Sequence, residues 1–205
     1  MAAPNLDIKI DGDHILQAYA TLKSDLGQLF TDNPDRRVEF VMGNTTDMHW
    51  RNLGTFDYAG GWVRGANPSE DLLPHHAIGA AVESHGGGAG AALAFYCDLP
   101  KKSSTIPQTL ILVVFGYCPK TASNRVEGYL LKLPTVLART IEMNAAHAVR
   151  EYCDQLEDLG GDKTAWSAVT KLDDTADLSV NARYSGSNDG LVEITITSIP
   201  RTMTH

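Results

Sequence analysis

Apolar residues along this chain repeat with two different periods, and the changes of period divide it into elements. From Asp13 onward, Ile15, Tyr19, Leu22, Leu26 and Leu29 recur at intervals of three and four, while Gln17, Thr21, Ser24, Asp25 and Gln28 fall on other faces. This spacing predicts an amphipathic helix over residues 13–30 with Asp13 as its N-cap. Asp32-Asn33-Pro34-Asp35 should end it, since Asp and Asn favour turns and Pro disfavours helical geometry in the residue before it. The period then drops to two. Val38, Phe40 and Met42 alternate with Arg37, Glu39 and Val41, as in a strand with one inward face, and Gly43-Asn44 is expected to turn the chain.

Further strands are predicted at 49–57, 76–84, 88–97, 109–117, 125–132, 177–184 and 191–198, separated by turn-rich segments such as Gly65-Ala66-Asn67-Pro68-Ser69. Residues 109–115 are apolar almost throughout, which suits a strand buried on both faces, whereas 191–197 alternate as a strand half open to water would. After Pro134, the stripe Leu137, Ile141, Ala145, Ala148, Tyr152, Leu156 and Leu159 predicts a second helix lying across one sheet, with Gly160-Gly161 as its stop. About eight short strands and two helices imply a mainly β fold, a two-sheet β-sandwich flanked by two helices, because each sheet must bury one face.

Composition narrows what such a fold can do. The 205 residues suit a single domain spanning 1–205, and the apolar fraction is an ordinary 43%. No run approaches the roughly 18 apolar residues of a membrane-spanning helix. Twenty-five acidic residues outweigh 17 basic ones, and the net charge of −8 works against nucleic acid and against loose attraction to anionic lipid. The start, Met1-Ala2-Ala3-Pro4, lacks the positive end and apolar stretch of a secretory signal; the expectation is a soluble protein that is secreted or released, either with its signal removed and a Met added or by an unconventional route. Cys97, Cys118 and Cys153 form neither a disulfide framework nor a CxxC zinc site and read as buried free thiols.

Candidate chemistry is sparse. His75-His76 are adjacent, so on a strand they point to opposite faces and do not share an ion, and no metal site or cofactor is expected. Gly86–Gly90 lacks the Gly-Lys-Ser/Thr of a phosphate loop and reads as a hairpin turn leading into a strand of small side chains. Asp173-Asp174 and Glu157-Asp158 sit among polar neighbours, with nothing to raise a carboxyl pKa. No Gly-x-Ser-x-Gly elbow is present, and the chain is not expected to be an enzyme. By periodicity alone, helix 13–30 is an ordinary packing element. At about 1.5 Å per residue it is roughly 27 Å long, and continuing it back through Asn5–Ile10 would let it span a bilayer.

The order of features resembles the actinoporins, the pore-forming cytolysins of sea anemones and their relatives, over nearly the whole chain. Ile10-Asp11-Gly12 precedes the amphipathic helix; Asn44-Thr45-Thr46, Trp50, Leu53 and Thr55 follow it, and then Leu73-Pro74-His75, Gly79 and Ala81. Gly116-Tyr117-Cys118-Pro119, Ser123-Asn124, Gly161-Asp162, Trp166 and the closing strand from Leu191 continue the similarity. The resemblance implies a pore-forming protein that recognises lipid head groups, often phosphocholine on sphingomyelin. It also implies that Ile15, Tyr19, Leu22, Leu26 and Leu29 are the face of a helix that inserts into the bilayer as copies oligomerise.

The resemblance further implies Tyr117, Pro119, Asn124 and Tyr152 as candidate head-group or glycan contacts, and aromatic faces such as those of Tyr117 and Tyr152 hold a quaternary ammonium by cation–π attraction. Trp62 is either an interfacial anchor or a packing side chain. Lys120-Thr121-Ala122 and Arg125-Val126 stand where the family carries Trp and Tyr, which leaves the aromatic surface depleted. The alternative on the same sandwich is a non-lytic lectin-like or head-group-binding protein, as in fungal fruit-body lectins. The necrosis-inducing plant toxins are disfavoured, because their Gly-His-Arg-His-Asp-Trp-Glu segment is absent.

Overall fold

The computed structural model describes residues 5–12, 14–30, 34–68, 70–100, 106–120, 124–143, 163–186 and 189–201, with the backbone alone for 141–143. In chain order the elements are β1 Asp7–Lys9, α1 Ile15–Gly27, β2 Arg36–Asn44, β3 Arg51–Ala59, β4 Gly61–Trp62, β5 His76–Ser84 and β6 Ala89–Asp98. They continue with β7 Gln108–Cys118, β8 Arg125–Pro134, α2 Thr135–Met143, β9 Ala165–Lys171, β10 Ala176–Ser185 and β11 Asp189–Pro200. A seven-stranded sheet runs β1-β5-β2-β11-β10-β9, with β4 also pairing β5, and a four-stranded sheet runs β3-β6-β7-β8. The molecule is therefore mainly β, a two-sheet sandwich with a helix against each outer face.

Alternation along the strands puts one side chain in two between the sheets. Val38, Phe40 and Met42 of β2, Leu93 and Phe95 of β6, Leu110, Leu112 and Val114 of β7, and Val192, Ile194 and Ile196 of β11 build that core. Each buried side chain of this size contributes about 1.5–3 kcal/mol. The opposite face of β7 is also covered at Ile111 and Phe115, so the expectation of a strand buried on both faces holds there. Strand β11 is less open than its alternation suggested: Leu191 is buried in a second cluster, beneath α1.

Helix α1 lies on the seven-stranded sheet, and the small residues of that sheet decide how closely. Tyr19, Leu22 and Leu26 are buried against Val41, Ala77 and Ala81. A Cβ on Gly43 would stand 2.7 Å from Ile15 Cδ1 and 2.8 Å from the Tyr19 hydroxyl, and one on Gly79 would stand 3.3 Å from Leu26. Gly43 is therefore not the expected turn. Strand β2 runs through it to Asn44, and Gly43 is small because the helix passes over it. The turn follows at Thr45–Asp47, organised by Asn44, whose amide donates to the Met48 carbonyl at 2.7 Å while Thr46 N–H and Oγ1 donate to its Oδ1.

Other boundaries also differ from expectation. The helix stops at Gly27, and Leu29 packs on its cluster from outside the helix. His14 occupies the N-cap position; Asp13 and the Asp32-Asn33 stop signal lie outside the described residues. Backward continuation of the helix does not occur. Asp7–Lys9 pair with β5, and Gly12, at φ +56°, changes the direction of the chain. The second helix packs on β7 and β8 through Ala138, which is 4% exposed, whereas Leu137, assigned to its buried stripe, is 56% exposed. Positions 145–159 of that stripe lie outside the described residues, as does Cys153; Cys97 and Cys118 are buried free thiols.

Candidate functional site

The outer face of the four-stranded sheet gathers aromatic side chains from strands distant in sequence. Register places Phe56 beside Ala92, Ala92 beside Phe115 and Phe115 beside Glu127; the next row is Gly90, Tyr117 and Arg125. Directly opposed residues of an antiparallel pair share a face, so these side chains lie together; Ala92 and Phe115 are buried, and Phe56, Tyr58 and Tyr117 are partly buried against them. Tyr58 meets Phe115 edge to face at 5.8 Å and Tyr117 at 5.7 Å, and the Phe115 and Tyr117 rings lie 6.1 Å apart. Such edge-to-face pairs are held by the opposite polarity of ring edge and ring face.

The glycines that preceded this strand in the sequence reading make room for the cluster. A Cβ on Gly90 would stand 2.6 Å from Tyr117 Cδ2, and one on Gly88 would stand 2.8 Å from its Cε2. Tyr117 thus lies flat over a shelf of backbone that only glycine leaves open. Charge borders the aromatics. Glu127, 7% exposed, pairs with Lys163 Nζ, and Val126 N–H donates to the Lys163 carbonyl at 2.7 Å, which fixes that lysine beside β8. The partly buried rings can face a quaternary ammonium, and the Lys163 ammonium, the more exposed member of its ion pair with Glu127, can face an anion, so the two ends of a zwitterion each have a partner here.

The sequence candidates divide around this surface. Tyr117 belongs to it. Pro119 is buried one turn beyond, its carbonyl accepting from Arg36 Nε at 3.4 Å, and Asn124 Nδ2 donates to the Gly186 carbonyl at 3.0 Å. Trp62 lies on β4 in the other sheet, half-buried against the inter-sheet core. Tyr152 lies outside the described residues. Ile15, Tyr19, Leu22, Leu26 and Leu29 all pack in the cluster under α1, where the Tyr19 hydroxyl donates to the Ile194 carbonyl and accepts from Gly43 N–H at 3.1 Å. Burial pushes the Tyr19 phenol pKa far up, so it stays protonated. Phe56, Tyr58, Phe115, Glu127 and Lys163 escaped the sequence reading. The alternation of Phe56 and Tyr58 was the available signal.

The histidines part for a reason other than strand alternation: His75 stands in the turn before β5 at φ +56°, with Nε2 2.9 Å from Asp47 Oδ1, and His76 opens β5, with Nδ1 2.8 Å from Asp7 Oδ1. Among the described residues, no group of three or more His, Cys, Asp or Glu is placed to hold a metal ion, and no helix is long and apolar enough to cross a membrane. Asp173 serves a turn, accepting from Thr175 Oγ1 at 2.7 Å, from Thr175 N–H at 2.7 Å and from Ala176 N–H at 3.0 Å, and these bonds, the hydroxyl's first, hold its pKa below the ordinary carboxylate value.

No protein-family model matches the chain, and no curated protein matches it in sequence. The actinoporin resemblance is therefore not supported by a sequence match, and the likeness to known proteins lies in the fold. The lipid-binding protein Nakanori superimposes with a TM-score of 0.58 at 12% identity, over 90% of this chain and 79% of that one. The lectin XCL of Xerocomus chrysenteron gives a TM-score of 0.43 at 11% identity, over 79% of this chain and 99% of the lectin.

Proposed function

We propose that this protein binds lipid head groups that carry both a quaternary ammonium and a phosphate, using the aromatic outer face of the four-stranded sheet. The observation that carries the proposal is the convergence of Tyr58, Phe115 and Tyr117 beside the Glu127–Lys163 pair. The ammonium would lie against Tyr58 and Tyr117 and near Glu127, and the phosphate near Lys163. Burial of Arg125 and Glu127 at the sheet edge supports this reading, since charges held there keep their geometry. The net charge of −8 fits a zwitterionic rather than an anionic surface, and the lipid-binding character of Nakanori, on a similar fold, is in line with it.

Sedimentation with vesicles tests the reading. Phosphatidylcholine or sphingomyelin vesicles should carry the protein down, vesicles of anionic lipid alone should not, and Tyr117→Ala should abolish sedimentation without lowering Tm by more than a few degrees. Equal sedimentation with both vesicle types, or full binding by Tyr117→Ala, refutes it. Glycan binding without vesicle binding would favour the lectin-like alternative.

Pore formation through α1 is the finer version of the same function, favoured by the apolar stripe of Tyr19, Leu22 and Leu26. It requires that stripe to leave the sheet. Exposing three side chains at about 1.5–3 kcal/mol each costs roughly 5–9 kcal/mol, which membrane contact must offset. At about 1.5 Å per residue, the 13 residues of α1 extend roughly 20 Å, short of the roughly 30 Å hydrocarbon core. Insertion would therefore also have to recruit β1. Dye release from vesicles that bind the protein separates the outcomes: release supports a pore, and saturating binding without release leaves a non-lytic binder.

A further inference from the structure

A cavity at the other end of the sandwich has a different chemistry. Tyr117 is in register with Gly90, near the start of β6, whereas Asp98 at the end of β6 lines this cavity. Eight residues of strand separate the two sites by about 27 Å at roughly 3.4 Å per residue. The cavity holds about 460 Å³, within the range of small-molecule sites. It is lined by the turn after β2, the start of β3, the end of β6 with the segment that follows, and the β9–β10 turn.

Its wall is apolar and its rim acidic. Met48, Cys97, Leu99 and Leu172 form the wall, and all four pack on or within the inter-sheet core, so the wall is pre-formed. Cys97 adds an unreactive apolar surface, since burial pushes its thiol pKa up to about 12. Asp47, Asp98 and Asp173 line the rim with the Arg51 guanidinium, which is engaged with the Tyr96 ring at 5.8 Å; Asp98 is also paired with Arg139 and Asp47 with His75. His49 also lines the site and is occupied by Asp71, with Nε2 2.8 Å from Oδ2.

Two of the carboxylates are held in place by their own bonds. Thr109 Oγ1 donates to Asp98 Oδ1 at 2.6 Å and Arg139 Nη2 to its Oδ2 at 3.0 Å. Asp173 is fixed by the turn donors of Thr175 and Ala176. Fixed carboxylates around an apolar wall are complementary to a cation with a hydrocarbon body, and they repel an anion of the same shape.

We propose that this cavity binds a small amphipathic organic ammonium compound, with its hydrocarbon body against Met48, Leu99 and Leu172 and its charge at the rim formed by Asp98 and Asp173. The site is independent of the head-group face, both in position and in the residues it uses. Octylammonium is the probe, with octanoate and octanol as shape-matched controls, followed by calorimetry and by NMR of methionine methyls on the full chain.

Solvent-exposed carboxylates each contribute up to about fivefold in affinity at low salt, and Arg139 offsets part of the Asp98 charge, so octylammonium should bind roughly fivefold more tightly than octanoate, and high salt should shrink that preference. The Met48 methyl should shift on saturation. Asp173→Asn keeps the turn acceptor, removes a charge and should weaken octylammonium severalfold while leaving octanol unchanged. Leu172→Trp should fill the cavity and abolish binding of all three probes. Tyr117→Ala should bind octylammonium normally, so failure here is distinguishable from failure of the head-group reading. Equal affinity for octylammonium and octanoate, no saturable binding of octylammonium, or binding that leaves Met48 unshifted would overturn the proposal.

Discussion

The hydroxyl of Tyr19 pins α1 to the sheet, and removing it is the most direct test of how firmly the helix is docked. It donates to the Ile194 carbonyl, accepts from Gly43 N–H at 3.1 Å and lies 2.9 Å from Thr195 Oγ1, so one atom joins the helix to both strands of the parallel β2–β11 pair. Tyr19→Phe keeps the ring of a residue only 5% exposed and deletes the oxygen alone. Ile194 C=O and Gly43 N–H then lose that partner beneath a helix that excludes water. At about 1–3 kcal/mol for each buried polar group left unsatisfied, partly relieved by local adjustment, the loss should be roughly 2–4 kcal/mol. For a chain of this length, that lowers Tm by about 5–12 °C.

Urea unfolding followed by far-UV circular dichroism measures the loss directly, and an unchanged m-value would show that the unfolded reference has not shifted. A loss below about 0.5 kcal/mol would refute the pinning argument, because it would mean that water or a neighbouring group already serves the two backbone atoms. The same variant bears on lysis. If a pore forms by undocking α1, Tyr19→Phe should accelerate dye release while leaving vesicle binding at Tyr117 unchanged.

Two further predictions concern the same interface. Gly43→Ala should destabilise by more than about 2 kcal/mol, because its Cβ would stand 2.7 Å from Ile15, whereas Gly79→Ala, at 3.3 Å from Leu26, should cost less than about 1 kcal/mol; comparable urea midpoints for the two would contradict the packing described. Glu39 is 4% exposed, and burial raises its carboxyl pKa above the ordinary 4.5 against the lowering effects of Arg37 and Lys23. A raised folded-state pKa means that the folded protein holds the proton more tightly, so the associated stability is full below pH 4.5 and is lost as pH rises through the folded value. Glu39→Gln should therefore gain stability relative to wild type as pH climbs from 4 to 7, and parallel unfolding curves across that range would show that Glu39 is not desolvated.

Much of the fold was legible because periodicity is a local property. The alternation of Val38, Phe40 and Met42, the apolar run of β7 and the stripe of Tyr19, Leu22 and Leu26 each report a buried face without reference to any other part of the chain. The elements that escaped are those whose burial comes from elsewhere. Strand β1 is three residues paired to an edge, β4 is two residues, and the side chains of β9 alternate only between half-buried and exposed. Gly43 looked like a turn because a glycine in a sequence carries no record of a helix passing above it.

The candidate site was less legible still. Tyr117 stood out as an aromatic after a core strand, but Tyr58 and Phe115 join it only through the pairing of β3 with β6 and of β6 with β7. Glu127 and Lys163 meet because β8 runs beside the start of β9, a contact across 36 residues. The sequence by itself determined which residues must be buried and with what period, since that depends on each residue's own affinity for water. Which side chains then stand together, over the glycine shelf or around the acidic cavity, was decided only by strand register and sheet order, which bring together residues that share no local pattern.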